Sequence, residues 1–119
     1  MAAALSITGF HDAVDYKIVK CTGIEDPTVQ TNVTGGAGTL YAAYIDSANC
    51  SAIVTVHFLD GKDTAVTQFV LRGKANGVHS IQIPTGFAFD QLNFWVSANA
   101  IENDTTDFAG TVDVTLVST

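Results

Sequence analysis

The sequence is short of charge: 14 % of its residues are Asp, Glu, Lys or Arg, against about 25 % in an average soluble domain. The shortage is sharpest on the basic side. Lys17, Lys20, Lys62, Arg72 and Lys74 face twelve acidic residues, for a net charge of −7. Nucleic acids are held by clustered Lys and Arg, so no nucleic-acid partner is expected. The same acidity disfavours an anionic membrane and leaves a cationic protein surface as a plausible partner. Long apolar runs are also missing. The longest, Leu40 to Ile45, falls far below the roughly 20 residues of a membrane helix. Met1 to Phe10 carries no Lys or Arg and no long apolar stretch, unlike a secretion signal, which points to synthesis and assembly in a cytoplasm. The two cysteines, Cys21 and Cys50, fit no metal spacing and read as small buried hydrophobes; a disulfide would be unusual in a reducing compartment. Asn32, Asn49 and Asn103 each begin an Asn-x-Ser/Thr triplet, which chance supplies readily in a chain this rich in Asn and Thr.

What is present is apolar and alternating. Hydrophobic residues make up 47 % of 119 residues, enough for one folded domain without a metal or disulfide staple. Helical periodicity is absent, and apolar residues recur at every second position, as in half-buried strands. Ala52, Val54, Val56 and Phe58 share one face, Leu92, Phe94, Val96 and Ala98 another, and Val112, Val114 and Leu116 a third. Phe69 with Leu71, and Ile81 with Ile83, continue the pattern. Asp60-Gly61 and Asn76-Gly77 are hairpin-type turn signals. Pro84-Thr85-Gly86 reads as a strand end, and Gly35 to Gly38 as a tight entry to the next strand. Strands are expected near 16–21, 28–33, 39–46, 51–59, 66–72, 77–83, 91–99 and 110–117. The spacing leaves no room for crossover helices, so the fold class is all-β: an antiparallel, jelly-roll-like β-sandwich of seven or eight strands. Residues 16–119 form the domain; residues 1–15 alternate weakly and form an edge strand or an arm.

No catalytic motif stands out. The sequence has no nucleophile elbow, no phosphate loop and no His-Glu-x-x-His. His11, His57 and His79 are scattered, and the latter two fall within strands, where a surface or hydrogen-bonded role is expected. Asp60 to Asp63 reads as a polar hairpin tip. The acidic loop Glu102 to Asp107 could offer oxygens to Ca²⁺, but its spacing matches no calcium loop and its residues are common loop formers. No metal, cofactor or enzymatic activity is expected. Two strands break the alternation: Leu40 to Ile45 is apolar on both faces, and Gln91, Asn93, Trp95 and Ser97 lie opposite the 92–98 core face, turning the single Trp outward. Such faces are covered by a partner or by the chain's own loops, and Trp and Tyr are enriched at interface hot spots.

Two stretches carry a resemblance. One runs from Val33 through the Gly-rich turn at 35–38 and the Leu40-Tyr41 strand, ending in Ile45-Asp46, to Asn49. The other is Ile83 to Ala98, with a Gly86-Phe-Ala-Phe89 turn before a Phe-rich strand. Together they resemble small β-sandwich virion proteins of tailed bacteriophages, particularly those of cyanobacteria and other aquatic bacteria, over roughly residues 33–117. The resemblance implies a virion structural protein assembled in the bacterial cytoplasm, most specifically a capsid decoration or cement protein. It implies the major capsid protein or another virion protein as partner, and a homo-oligomer, with a trimer favoured. The interface residues it suggests are Leu40, Tyr41, Tyr44 and Trp95, with Leu5, Ile7 and Phe10 on an arm across a neighbour. A tail, neck or baseplate component, and a host-attachment module binding carbohydrate through Trp95, Asn93 and Gln91, are the alternatives.

Overall fold

The computed structural model describes residues 3–9, 16–61, 69–101 and 103–119. Eight strands are present among them: β1 (Ala4–Gly9), β2 (Lys17–Ile24), β3 (Gly38–Asp46), β4 (Thr55–Asp60), β5 (Phe69–Arg72), β6 (Val78–Phe89), β7 (Leu92–Ser97) and β8 (Val112–Ser118). They form a five-stranded sheet in the order β1-β2-β8-β3-β6 and a three-stranded sheet in the order β5-β4-β7. Every pairing is antiparallel. The all-β sandwich expected from the period-two pattern is therefore the observed fold.

The expected 28–33 strand is reduced to one bridge. Gln30 and Phe94 exchange both backbone hydrogen bonds, at 2.7 and 3.0 Å, and Val33 N–H donates to the Leu92 carbonyl at 3.0 Å. Counting this segment, the chain passes from the wide sheet at β2 to the narrow one at Gln30, back at β3, across at β4 and β5, back at β6, across at β7 and back at β8. That path is a jelly roll.

The core lies between the sheets. Val19, Cys21, Ile24, Leu40, Ala43, Ile45, Val112, Val114 and Leu116 from the wide sheet meet Val56, Phe58, Leu71, Leu92, Phe94 and Val96 from the narrow one, and all are buried. Phe58 sits at the centre, stacked on Phe69 at 4.7 Å and tilted against Phe94 at 5.9 Å. Each such side chain contributes on the order of 1.5–3 kcal/mol by leaving water.

Two turn readings are corrected. Pro84-Thr85-Gly86 does not end a strand: β6 continues to Phe89. Leu40 pairs with Phe87 and Ala42 with Gln82, so residues 83–86 bulge opposite Tyr41 alone. An edge strand tolerates Pro because the missing N–H need not face a neighbour. Gly86 adopts φ 77°, and a Cβ there would collide with the Thr39 methyl and stand 3.0 Å from the Tyr41 ring. Asn76-Gly77 is likewise no hairpin within a sheet. Asn76, at φ 53°, turns the chain from β5 in one sheet to β6 in the other, and its N–H donates to the Cys50 carbonyl at 2.7 Å. The Asp60-Gly61 signal does open a hairpin: Asp60 ends β4, Gly61 has φ 112°, and β4 pairs antiparallel with the next strand, β5, while Lys62 and Asp63 lie outside the described residues. The Asp60 carboxylate accepts the Asp90 and Gln91 N–H groups at 2.7 and 3.3 Å, capping the crossing from β6 to β7.

Candidate interaction surface

The outer side of the narrow sheet holds four of the seven buried polar residues of the described chain. Thr55, His57 and Leu59 of β4 point away from the core and pair with Ser97, Trp95 and Asn93 of β7. All six are buried. His57 and Trp95 stack nearly parallel, 4.6 Å apart. Residues 98–101 and 103–107 cover them: Trp95 Nε1–H donates to the Asp104 carbonyl at 2.7 Å, and the Ser97 hydroxyl donates to the Asn99 carbonyl at 3.0 Å. His57 Nε2 lies 2.7 Å from Ser97 Oγ and 3.2 Å from the Asn99 carbonyl. A carbonyl only accepts, so Nε2 carries the proton. Nδ1 is then a buried lone pair with no partner among the described residues.

The pairing of a Ser with a His is no nucleophile here, because both side chains are fully buried and a substrate needs access. Its consequence is for stability. Burial pushes the His57 pKa down, against the Asn99 carbonyl and the Asp104 charge, which pull it up. A lowered pKa on a base means the unfolded chain binds more protons, so stability falls as pH drops below about 6.5 towards the depressed value, by at most about 1.4 kcal/mol per pH unit. His57→Phe, which keeps the stack, is expected to flatten that part of a stability-against-pH curve measured by chemical denaturation; an unaltered slope would show that another group carries it. A second acid step follows at lower pH. The Thr106 hydroxyl first, then Ser97, the Thr106 amide and Asn99, hold the Asp104 carboxyl down to about 2, so its contribution is lost only as pH falls below about 3.8.

Asp104 also explains the acidic loop. Its two oxygens accept the Asn99 and Thr106 N–H groups, both at 3.2 Å, and the Thr106 hydroxyl at 2.8 Å, while Asp107 accepts the Phe108 N–H at 2.9 Å. These carboxylates brace the loop over Trp95. Among the described residues no three His, Cys, Asp or Glu side chains converge as metal ligands would, and no helix is long and apolar enough to cross a membrane. Cys21 and Cys50 are both free and buried. Burial, and then Asp113, push the Cys21 thiol up to about 11, and burial raises Cys50. His79 is held by the Arg72 carbonyl.

The outer face of the wide sheet is different. Strand register places Lys20, Thr115, Tyr44 and Ser80 in one row, Ile18, Val117, Ala42 and Gln82 in the next, and Thr22, Asp113, Asp46 and Val78 near one end. Tyr16 packs edge-on to Tyr41, with ring centres 5.3 Å apart. Only Lys20, Asp46 and Asp113 are charged in these rows, and Asp113 is engaged by the Gly23 N–H at 2.9 Å. The face is rich in hydroxyls and aromatics, and poor in charge.

The expected interface residues therefore separate. Tyr41 is half-buried and Tyr44 is 36 % exposed, both on this face. Leu40 is wholly buried, because the β3 bulge turns Tyr41 and Ala42 outward together and leaves Leu40 in the core. Trp95 does point outward from its sheet, but at 3 % exposure the chain's own loop covers it. Leu5 is exposed on β1. Ile7 is described through its backbone, opposite Val19, and Phe10 lies outside the described residues. Sequence reading missed Tyr16, Ile18 and Val117, which join the face only through cross-strand register.

No protein-family model and no curated protein matches the chain.

Proposed function

We propose that this chain is a structural component of a tailed-bacteriophage virion, most specifically a decoration or cement protein that binds the outside of the capsid shell. Two things support the reading: the resemblance over residues 33–117 and, above all, the broad, charge-poor face of the wide sheet carrying Tyr16, Tyr41 and Tyr44. Tyr suits a contact surface, since it brings apolar area and a hydroxyl at little conformational cost. On this reading the protein has no catalytic step and takes no cofactor. It is made in the bacterial cytoplasm, takes the major capsid protein as partner, and acts by linkage. A protein that binds the closed lattice and not the free subunits stabilises the shell by mass action. Repetition over the shell multiplies weak contacts into avidity.

The test is location and consequence together. Mass spectrometry and imaging of the virion should find the chain on the head in a fixed ratio to the coat protein. Shells lacking it should release their contents at a lower temperature, and Tyr44→Glu should reduce its occupancy about tenfold or more, because a charge is then desolvated at the contact. Co-purification with tails after heads are removed would overturn the cement reading and favour a tail, neck or baseplate component. The carbohydrate-binding alternative needed Trp95 and Asn93 as an open platform, and both are covered.

A further inference from the structure

A sheet edge is a row of unpaired backbone groups, and folded proteins blunt it with charge, proline, bulges or brevity. Among the described residues this sandwich has four edges, and three are blunted. β6 carries Pro84 and the bulge at 83–86. β5 is four residues long. The Gln30 edge is a single bridge, three residues beyond Pro27. The fourth edge, β1, has none of these devices. Ala4-Leu-Ser-Ile-Thr-Gly9 is uncharged and proline-free, and it pairs with β2 in unbroken register from Ala4–Thr22 to Gly9–Lys17.

β1 also overhangs. The wide sheet has more strands than the narrow one, and Leu5 stays 46 % exposed although its cross-strand partner Cys21 is buried. Among the described residues the strand therefore offers two unmet features at once, an open hydrogen-bonding edge and an uncovered apolar side chain on the core-side face.

We propose that β1 is a docking edge for a second copy of this chain, with the two β1 strands pairing antiparallel about a two-fold axis at Ser6. The sequence of the strand is what selects a copy of itself. Read outward from Ser6 in either direction it alternates in the same way. Leu5 of one copy then faces Ile7 of the other, Ala4 faces Thr8, and Ser6 faces Ser6. The axis is normal to the sheet, so both core-side faces stay on one side and the two wide sheets become one. Self-association of a chain of net charge −7 requires a place free of like charge, and β1 is such a place, flanked by Lys17 and Lys20 of β2. An isologous two-fold contact is also the commonest closed symmetry, and it differs from the three-fold assembly that the resemblance implies. The contact needs no virion partner, so it is tested on the purified chain and stands or falls separately from the cement reading.

Three measurements on the full chain decide it. Analytical ultracentrifugation should show a concentration-dependent two-chain species. Ser6→Glu should weaken that association by about tenfold or more, because like charges then meet at the axis. The same substitution places the new carboxylate across from Lys20 within each copy, so the monomer's melting temperature should hold or rise. Ser6→Cys should cross-link rapidly under mild oxidation, since facing residues of an antiparallel pair lie within disulfide reach, whereas Ser80→Cys, exposed on β6, should not. A monomer at all concentrations, a three-chain species, a dimer that survives Ser6→Glu, or equal cross-linking of the two cysteine variants would each overturn the proposal.

Discussion

Phe58→Ala should lower the unfolding free energy by about 3–5 kcal/mol, about a fifth or more of what a domain of this size usually has. The ring is wholly buried in the middle of β4 and packs against Phe69 and Phe94. Phe69 in turn meets Phe87 edge-on at 5.0 Å. Phe58 therefore joins three strands of the narrow sheet and, through Phe69, reaches β6 of the wide one. Removing it leaves a cavity that the stiff sheets cannot close, because each neighbour is fixed by its own ladder of backbone bonds. Denaturant titration should show the midpoint falling with little change in slope. Phe58→Leu should recover much of the loss, since it refills most of the volume. A cost below about 1.5 kcal/mol for the alanine variant would mean that the narrow sheet collapses onto the wide one, and that the aromatic cluster is not what fixes their separation.

The core was legible in the sequence because one face of most strands is dry. Val112, Val114 and Leu116 alternate with Asp113, Thr115 and Val117, and the structure buries the first set and leaves the second partly exposed. Legibility failed where backbone irregularity breaks the alternation. The β3 bulge sends Tyr41 and Ala42 outward in succession, so a reader counting by twos places Leu40 on a surface it does not reach. Turn chemistry gave topology at Asp60-Gly61, where β4 and β5 pair as a hairpin, but only local conformation at Asn76-Gly77. Asn76 has the positive φ that Asn-Gly suggests, yet nothing local says whether the next strand stays in the same sheet or crosses to the other. The candidate surface is harder still. Ile18, Tyr44 and Val117 come from strands far apart in sequence, and only the pairing order β2-β8-β3 makes them neighbours, while Tyr16, just before β2, joins them through its ring contact with Tyr41.

Trp95 poses the same problem in another form, and its replacement should be the second large effect. Alternation gave its side of the sheet; the cover, supplied by residues 98–101 and 103–107, could not be read from periodicity. Trp95→Ala should cost about 3–5 kcal/mol, as much as a core phenylalanine, even though the residue lies outside the inter-sheet core. The reason is that it is a small core in itself, stacked on buried His57 beneath the Asp104 loop. Removing the indole leaves the Asp104 carbonyl without its donor and opens the buried His57 and Thr55 to water. Trp95→Phe should cost less, about 1–3 kcal/mol, because an aromatic ring still covers His57 and the main loss is the Nε1–H bond to the carbonyl. In that variant hydrogen exchange should quicken at Asn99 and Thr106, whose amides depend on Asp104, and leave the wide sheet unchanged. These outcomes also separate the two roles assigned to this residue. If Trp95 is a cover and not a contact, partner occupancy should track the folded fraction in both variants and remain normal in Trp95→Phe at temperatures where it is folded. Loss of occupancy by a fully folded Trp95→Phe would put the indole at the interface after all, and would require that cover to open on binding.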